Sequence, residues 1–158
     1  MLERDLHTIL KVINNAARAY RGVIPDDRCK EPYMLDKELR EEIESGVFFF
    51  GLKEQEKTIG VMGIQELEGV TLIRHAYVLT EYQRGGVGGR LLQHLISLAK
   101  GPEILVGTWK RASWAIQFYE GYGFTLVSAC EKDRLLRKYW EIPERQIETS
   151  LVLKFNKG

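Results

Sequence analysis

Four glycines within five residues, Gly85, Gly86, Gly88 and Gly89, stand directly ahead of an apolar helical repeat. Val87, Leu91, Leu95 and Leu98 recur at spacings of four, four and three, and Leu92, Ile96 and Ala99 widen the stripe. Upstream, Val70 to Leu79 is rich in β-branched and aromatic residues and predicts a strand. The glycines therefore fall at a strand-to-helix turn. Glycine there permits positive φ and lets a ligand approach the backbone without Cβ atoms in the way. The first N–H groups of the helix have no intrahelical acceptor, and the positive end of the helix dipole lies behind them. Such a turn is suited to a phosphate group, although a tightly packed helix start would use the same glycines.

Three phosphate-binding patterns can be set against it. A P-loop requires Lys-Ser or Lys-Thr after its last glycine, and here Gly88 is followed by Gly89-Arg90. A dinucleotide fingerprint starting at Gly86 requires glycine at position 91, which is Leu91. The third pattern, Gln/Arg-x-x-Gly-x-Gly/Ala, is matched in full by Gln83-Arg84-Gly85-Gly86-Val87-Gly88. About thirty residues on, Phe118-Tyr119-Glu120-Gly121-Tyr122-Gly123-Phe124 matches Phe-Tyr-x-x-x-Gly-Phe, with Ala115 three residues before it. Ala112, Ala115, Phe118, Tyr119 and Tyr122 share one side of a predicted helix, so small residues allow a close approach where Tyr119 projects. In these two stretches the chain resembles the GCN5-related N-acetyltransferase (GNAT) superfamily.

Composition narrows the setting. The 158 residues carry 23 Lys and Arg against 22 Asp and Glu, a formal net charge of +1, which gives no reason to expect a nucleic acid or membrane partner. The length suits one domain over residues 1–158 with its own core. Cys29 and Cys130 form no Cys-x-x-Cys pair and no metal-ligand spacing, which predicts free thiols, no metal and a reduced cytoplasmic setting. In chain order, the periodicity predicts a helix over Leu6–Tyr20, a loop over Gly22–Pro32, and a second helix from an Asp36 cap to Ser45-Gly46. An almost wholly apolar strand over Val47–Leu52 reads as buried on both faces, with a hairpin partner over Thr58–Leu67. After the glycine turn and its helix come a strand over Glu103–Trp109, the Ala112–Tyr122 helix, a strand over Phe124–Ala129, a charged stretch with room for a short helix, and a last strand over Gln146–Phe155. The resemblance implies an α/β fold: a mixed, mostly antiparallel sheet of six to seven strands flanked by about four helices. Its two parallel strands would splay around a cofactor arm.

The resemblance also implies acetyl-CoA as cofactor and transfer of its acetyl group to a primary amine, on a small molecule or an amino terminus, by direct attack in a ternary complex. A non-catalytic acyl-CoA sensor is the alternative, and a homodimer is compatible with the family. By that likeness Gln83, Arg84, Gly85, Gly86, Val87, Gly88 and Gly89 hold the diphosphate. The backbone of Val78, Leu79 and Thr80 bonds the pantetheine; Ala112 stands where the family often has a helix-start Asn, and Lys110 and Ser113 are close enough to substitute for it. Tyr119 protonates the departing thiolate, while Glu31, Tyr33 and Trp109 face the acceptor. The base is less plain. Strict alternation puts Leu72, Arg74, Ala76 and Val78 on one face of their strand and His75, the side chain with a suitable intrinsic pKa, on the other. Leu72 and Arg74, where the family often carries a base, cannot serve as one. His75, Glu31, Glu66 and a water chain remain as candidates.

Overall fold

The molecule is known from a computed structural model, which describes residues 3–20, 33–83, 85–140 and 142–157. Helix α1 (Glu3–Ala16) runs into a 3-10 turn (Ala17–Tyr20), and α2 (Asp36–Glu44) follows. Then come β1 (Phe48–Glu54), β2 (Lys57–Leu67), β3 (Val70–Val78), a 3-10 turn (Thr80–Tyr82), α3 (Val87–Leu98), β4 (Glu103–Trp109), α4 (Ser113–Gly121), β5 (Thr125–Leu126), α5 (Ala129–Tyr139), α6 (Glu144–Glu148) and β6 (Ser150–Asn156). The strands form one sheet in the order β1-β2-β3-β4-β6-β5. Only β3 and β4 pair in parallel. This is the mixed, mostly antiparallel α/β sheet that the sequence predicts.

Odd spacing along β2 separates the two faces. A Cβ on Gly60 would meet Val87 and Leu91 of α3. Gly63, three residues on, faces Val47 and Phe49, and its pairing partner Arg74 reaches Glu42 of α2. Helix α3 therefore covers one face and α2 the other, with α1 against β2, β3 and α2. Farther along the α2 face, Leu135, Leu136 and Ile147 of α5 and α6 close over Leu72, Leu105 and Val152. Asn14 and Asn15 tie α1 to its surroundings. Asn14 donates to the Met34 carbonyl (3.0 Å) and accepts from the Met34 N–H (2.8 Å), and Asn15 accepts from the Thr80 N–H (3.0 Å).

Three sequence expectations are corrected. Strand β1 is an edge strand, so Phe49 is buried while Phe48 is 65% exposed, and the apolar run does not mean burial on both faces. The strand expected over Phe124–Ala129 shrinks to Thr125–Leu126, because Ser128 caps α5 by accepting from the Glu131 N–H. The charged stretch after it carries two helices, joined by buried Lys132, which donates to the Ile147 carbonyl at 2.8 Å. The third correction concerns β3. Gly63 pairs with Arg74 and Val61 with Tyr77, so Met62 alone opposes both His75 and Ala76. His75 has φ of +57°, in the left-handed region where a bulge ordinarily places glycine. The bulge breaks the alternation. His75 stacks on Phe49 (ring centroids 5.9 Å apart), on the same face as Arg74, whereas Val78 faces α3 beside Gly88.

The bulge depends on room at Gly63, where a Cβ would lie 2.8 Å from the Arg74 carbonyl oxygen and 2.8 Å from Val47. Gly63→Ala is expected to destabilise the fold by about 1–3 kcal/mol, the usual cost of overpacking. Gly121→Ala, at the end of α4 with nothing within 4 Å of the added carbon, serves in urea unfolding as the control that is not expected to destabilise.

Candidate active site

The bulge shapes the site by deciding where β3 and β4 part. Their ladder runs from Val70–Glu103 to Ile73–Val106 and ends there. Beyond it β3 stays with β2 through Val61–Tyr77 and Gly60–Val78, and β4 stays with β6 through Gly107–Val152 to Trp109–Ser150. A bulge bends its strand and increases its twist, which is the local cause of the divergence. The slit between the strands carries backbone groups with no ladder partner on β4. Leu79 N–H bonds the Ile59 carbonyl at 2.9 Å on the β2 side, so by alternation the Val78 N–H points into the slit.

Two cavities meet at this slit. The larger, about 620 Å³, lies on the α3 and α4 side and includes Val78, Gln83, Gly86–Gly89, Trp114 and Phe118 in its wall. The smaller, about 150 Å³, opens on the other face among Tyr33, Arg74, His75, Trp109, Trp140 and Gln146. Ala76, Tyr77, Ala115 and Tyr119 line both. Tyr119 is 5% exposed and held between Phe118 and Phe124, with ring centroids 5.1 and 5.5 Å away. Its side chain thus spans the partition between the two spaces.

In the larger cavity the α3 terminus has the features a phosphate requires. Gly86 is the N-cap, with φ of +82° and nothing within 4 Å of where a Cβ would stand. Among the described residues, no protein group accepts from the amides of Val87, Gly88 or Gly89; the first bond at this end is Arg90 N–H to Gly86 carbonyl at 3.1 Å. Gly89 is required by packing as well, since the Tyr122 hydroxyl lies 1.9 Å from the position of a Cβ there. Uncapped amides, absent side chains and an open cavity fit the diphosphate of an acyl-CoA.

The other predicted residues are placed as follows. Gln83 donates to the Val78 carbonyl at 3.1 Å, leaving the Val78 N–H on the cavity side. The N–H groups of Leu79 and Thr80 are taken by Ile59 and Asn15, so neither is directed into the cavity. Ser113 is exposed and lies outside the cavity wall, where its neighbour Trp114, 43% exposed, takes that place. Tyr33 and Trp109 line the smaller cavity together with Tyr77, whose ring meets that of Tyr33 edge-on at 6.3 Å. Arg84 and Glu31 lie outside the described residues. Glu66 sits at the closed end of the ladder, bonded to the Thr71 hydroxyl (2.7 Å) and the Lys100 N–H (3.2 Å), away from both cavities. Trp140, at the end of α5, and Gln146 of α6 also line the smaller cavity. Glu42 of α2 belongs to the site as well, and an acidic residue in a charged helix carries no sequence mark of its partner.

Glu42 lies behind His75. Its carboxylate meets Arg74 Nη2 at 3.1 Å and His75 Nε2 at 3.6 Å, and Arg74 also donates to Gln65 Oε1 at 3.0 Å. Burial opposes ionisation of Glu42, but the His75 imidazole and the Arg74 guanidinium outweigh it and hold the carboxyl below its ordinary 4.5. A carboxyl depressed in the folded state gives its full contribution above the unfolded value and loses it as pH falls through the folded one. The stability gap between the wild type and Glu42→Gln is therefore expected to be widest above pH 4.5 and to narrow below it. Urea titrations across that range measure it; a gap that stays constant contradicts the assignment.

Comparison with known proteins agrees with this geometry. Residues 16–136 match the sequence model of the acetyltransferase (GNAT) domain. No curated protein matches the chain. Among solved structures, an acetyltransferase of the GNAT family from Staphylococcus aureus Mu50 superposes with a TM-score of 0.74 at 15% identity, covering 100% of this chain and 96% of that one. The ribosomal-protein-S18-alanine N-acetyltransferase from Escherichia coli gives 0.70 at 16% identity, covering 100% and 91%. A GNAT family acetyltransferase from Elizabethkingia anophelis, solved with acetyl-CoA bound, gives 0.59 at 26% identity, covering 76% and 82%. With most of its length inside the domain match, and with a splayed parallel strand pair and open glycine turn to go with it, the chain belongs to the GNAT acetyltransferase family.

Proposed function

We propose that the protein is an N-acetyltransferase that moves the acetyl group of acetyl-CoA to a primary amine, by direct attack while both molecules are bound. Acetyl-CoA is the cofactor of the family and supplies the acyl group as an activated thioester. The observation that carries the proposal is the pair of cavities on opposite faces of the sheet, joined where Ala76, Tyr77, Ala115 and Tyr119 wall them both. One space takes the cofactor arm, the other the amine. The amides of Val87, Gly88 and Gly89 receive the diphosphate. The Val78 N–H stabilises negative charge gathering on the acyl oxygen. Tyr119 gives its hydroxyl proton to the departing sulfur, the general-acid role of a positioned phenol. His75, on the wall of the smaller cavity, receives the proton that the amine must lose. The acceptor is a small molecule or an amino terminus, residues 1–158 act as one domain, and the exposed free thiol of Cys130 suits a reduced, cytoplasmic setting.

Tyr119→Phe removes the proton and keeps the ring. Turnover, followed as free thiol released from acetyl-CoA in the presence of an amine panel, is expected to fall about 10²-fold or more. CoA affinity measured by calorimetry is expected to stay unchanged. Equal turnover in the variant removes Tyr119 from this role. CoA binding with no thiol release from the wild type, whatever the amine, identifies a binding module instead.

A further inference from the structure

Within the described residues one buried polar side-chain atom has no hydrogen-bond partner: His75 Nε2. Buried polar groups are nearly always satisfied, and an exception calls for a reason. Glu42 Oε2 lies 3.6 Å away, a few tenths of an ångström beyond hydrogen-bond distance. The residue is also held in a left-handed backbone conformation, with φ of +57°, that a non-glycine residue adopts at a cost. Both features have one origin. The bulge turns His75 from the face that alternation gives it to the face of α2, against Phe49 and within reach of Glu42.

We infer that Glu42 is a positioning residue for His75, holding the proton of the neutral imidazole on Nε2 and leaving Nδ1 bare toward the smaller cavity. The inference rests on the proposed acetyl transfer and on His75 as its base. In the step itself Nδ1 accepts the proton released by the attacking amine, so the ring becomes an imidazolium with N–H on both nitrogens. Glu42 takes no proton; it accepts the Nε2–H bond and offsets the new charge. The proton leaves Nδ1 for solvent once the product departs. Among the described residues, the charged and titratable groups around the ring are Glu42 from α2 and Arg74 on β3, with Tyr33, Tyr77 and Tyr119 lining the same cavity; Phe49 of β1 and Gln65 of β2 contribute no charge. Arg74 binds the same carboxylate and keeps it ionised, so the pair can receive a positive charge without leaving a carboxylate buried alone.

The first test needs no acceptor. In protein labelled with ¹⁵N-histidine, the His75 ring signals are assigned by their loss in His75→Asn, a replacement that tolerates the left-handed conformation. At pH ~8, above the ordinary imidazole range, the wild type is expected to show a single tautomer with hydrogen on Nε2. Glu42→Gln is expected to shift that population, and Glu42→Asp, which keeps the charge on a shorter arm, to fall between. A wild-type ring protonated on Nδ1, or a tautomer that ignores Glu42→Gln in a variant with a normal folded circular dichroism spectrum, overturns the inference and leaves the acetyl-transfer proposal standing.

The second test uses acetyl-CoA and the primary amine that turns over fastest in the panel. Glu42→Gln is expected to lower kcat roughly tenfold to hundredfold with the KM for acetyl-CoA unchanged. In the His75→Asn background the same substitution is expected to have almost no further effect. Losses that multiply independently assign Glu42 to scaffolding alone and overturn the inference. Full turnover in His75→Asn overturns it as well, together with the choice of base.

Discussion

A two-for-one mismatch between neighbouring strands governs this molecule. Opposite the single residue Met62, β3 spends two residues, His75 and Ala76. That extra residue bends β3 away from β4 and sends His75 to the α2 face. A left-handed histidine costs on the order of 1–3 kcal/mol. The surroundings offset it: Gly63 leaves room for the Arg74 carbonyl, Phe49 receives the ring, and Glu42 draws in the side chains of Arg74 and His75. The splay, the slit and the junction of the cavities all follow.

The rest of the architecture keeps the slit open in a fixed shape. Asn14 and Asn15 are neighbours on α1 yet hold different things, the chain around Met34 before α2 and the bend after β3 at Thr80. On the far side, Lys132 is buried but partnered, donating to the Ile147 carbonyl and pairing with Asp133 at 2.7 Å. A buried ammonium without such partners would cost several kcal/mol. Here it staples α5 to α6, and the segment around them supplies Trp140 and Gln146 to the smaller cavity. Leu136 and Trp140 also pack near Gly107, where β4 leaves β3.

How much was legible in the sequence follows from how local each requirement is. The glycine turn and the Phe118–Phe124 stretch were readable because each need is met by adjacent residues: small backbone positions, a helix start, an aromatic at fixed spacing. Order and type of the main strands came through for the same reason. The bulge did not, since positive φ falls on a histidine and nothing between Arg74 and Tyr77 marks a break in alternation. The exposure of Phe48 could not be read either, because three consecutive phenylalanines look the same on an edge strand as in a sheet centre. The charged stretch showed room for one short helix and not for both α5 and α6, because their apolar faces are narrow, reduced to Leu135, Leu136 and Ile147. Glu42 lies 33 positions before His75, and a pairing over that distance belongs to the tertiary fold alone.

The sheet that carries the slit is also a wall with different builders on each side. Glycines and α3 make up much of one side, while Tyr33, Trp109, Trp140 and Gln146, from scattered segments, furnish the other. If the two cavities divide the substrates as proposed, substitutions on the second side would retune which amine is admitted without disturbing the grip on the acyl donor. A chain arranged in this way can change its clientele in small steps, one side chain at a time, while its source of acetyl groups stays the same.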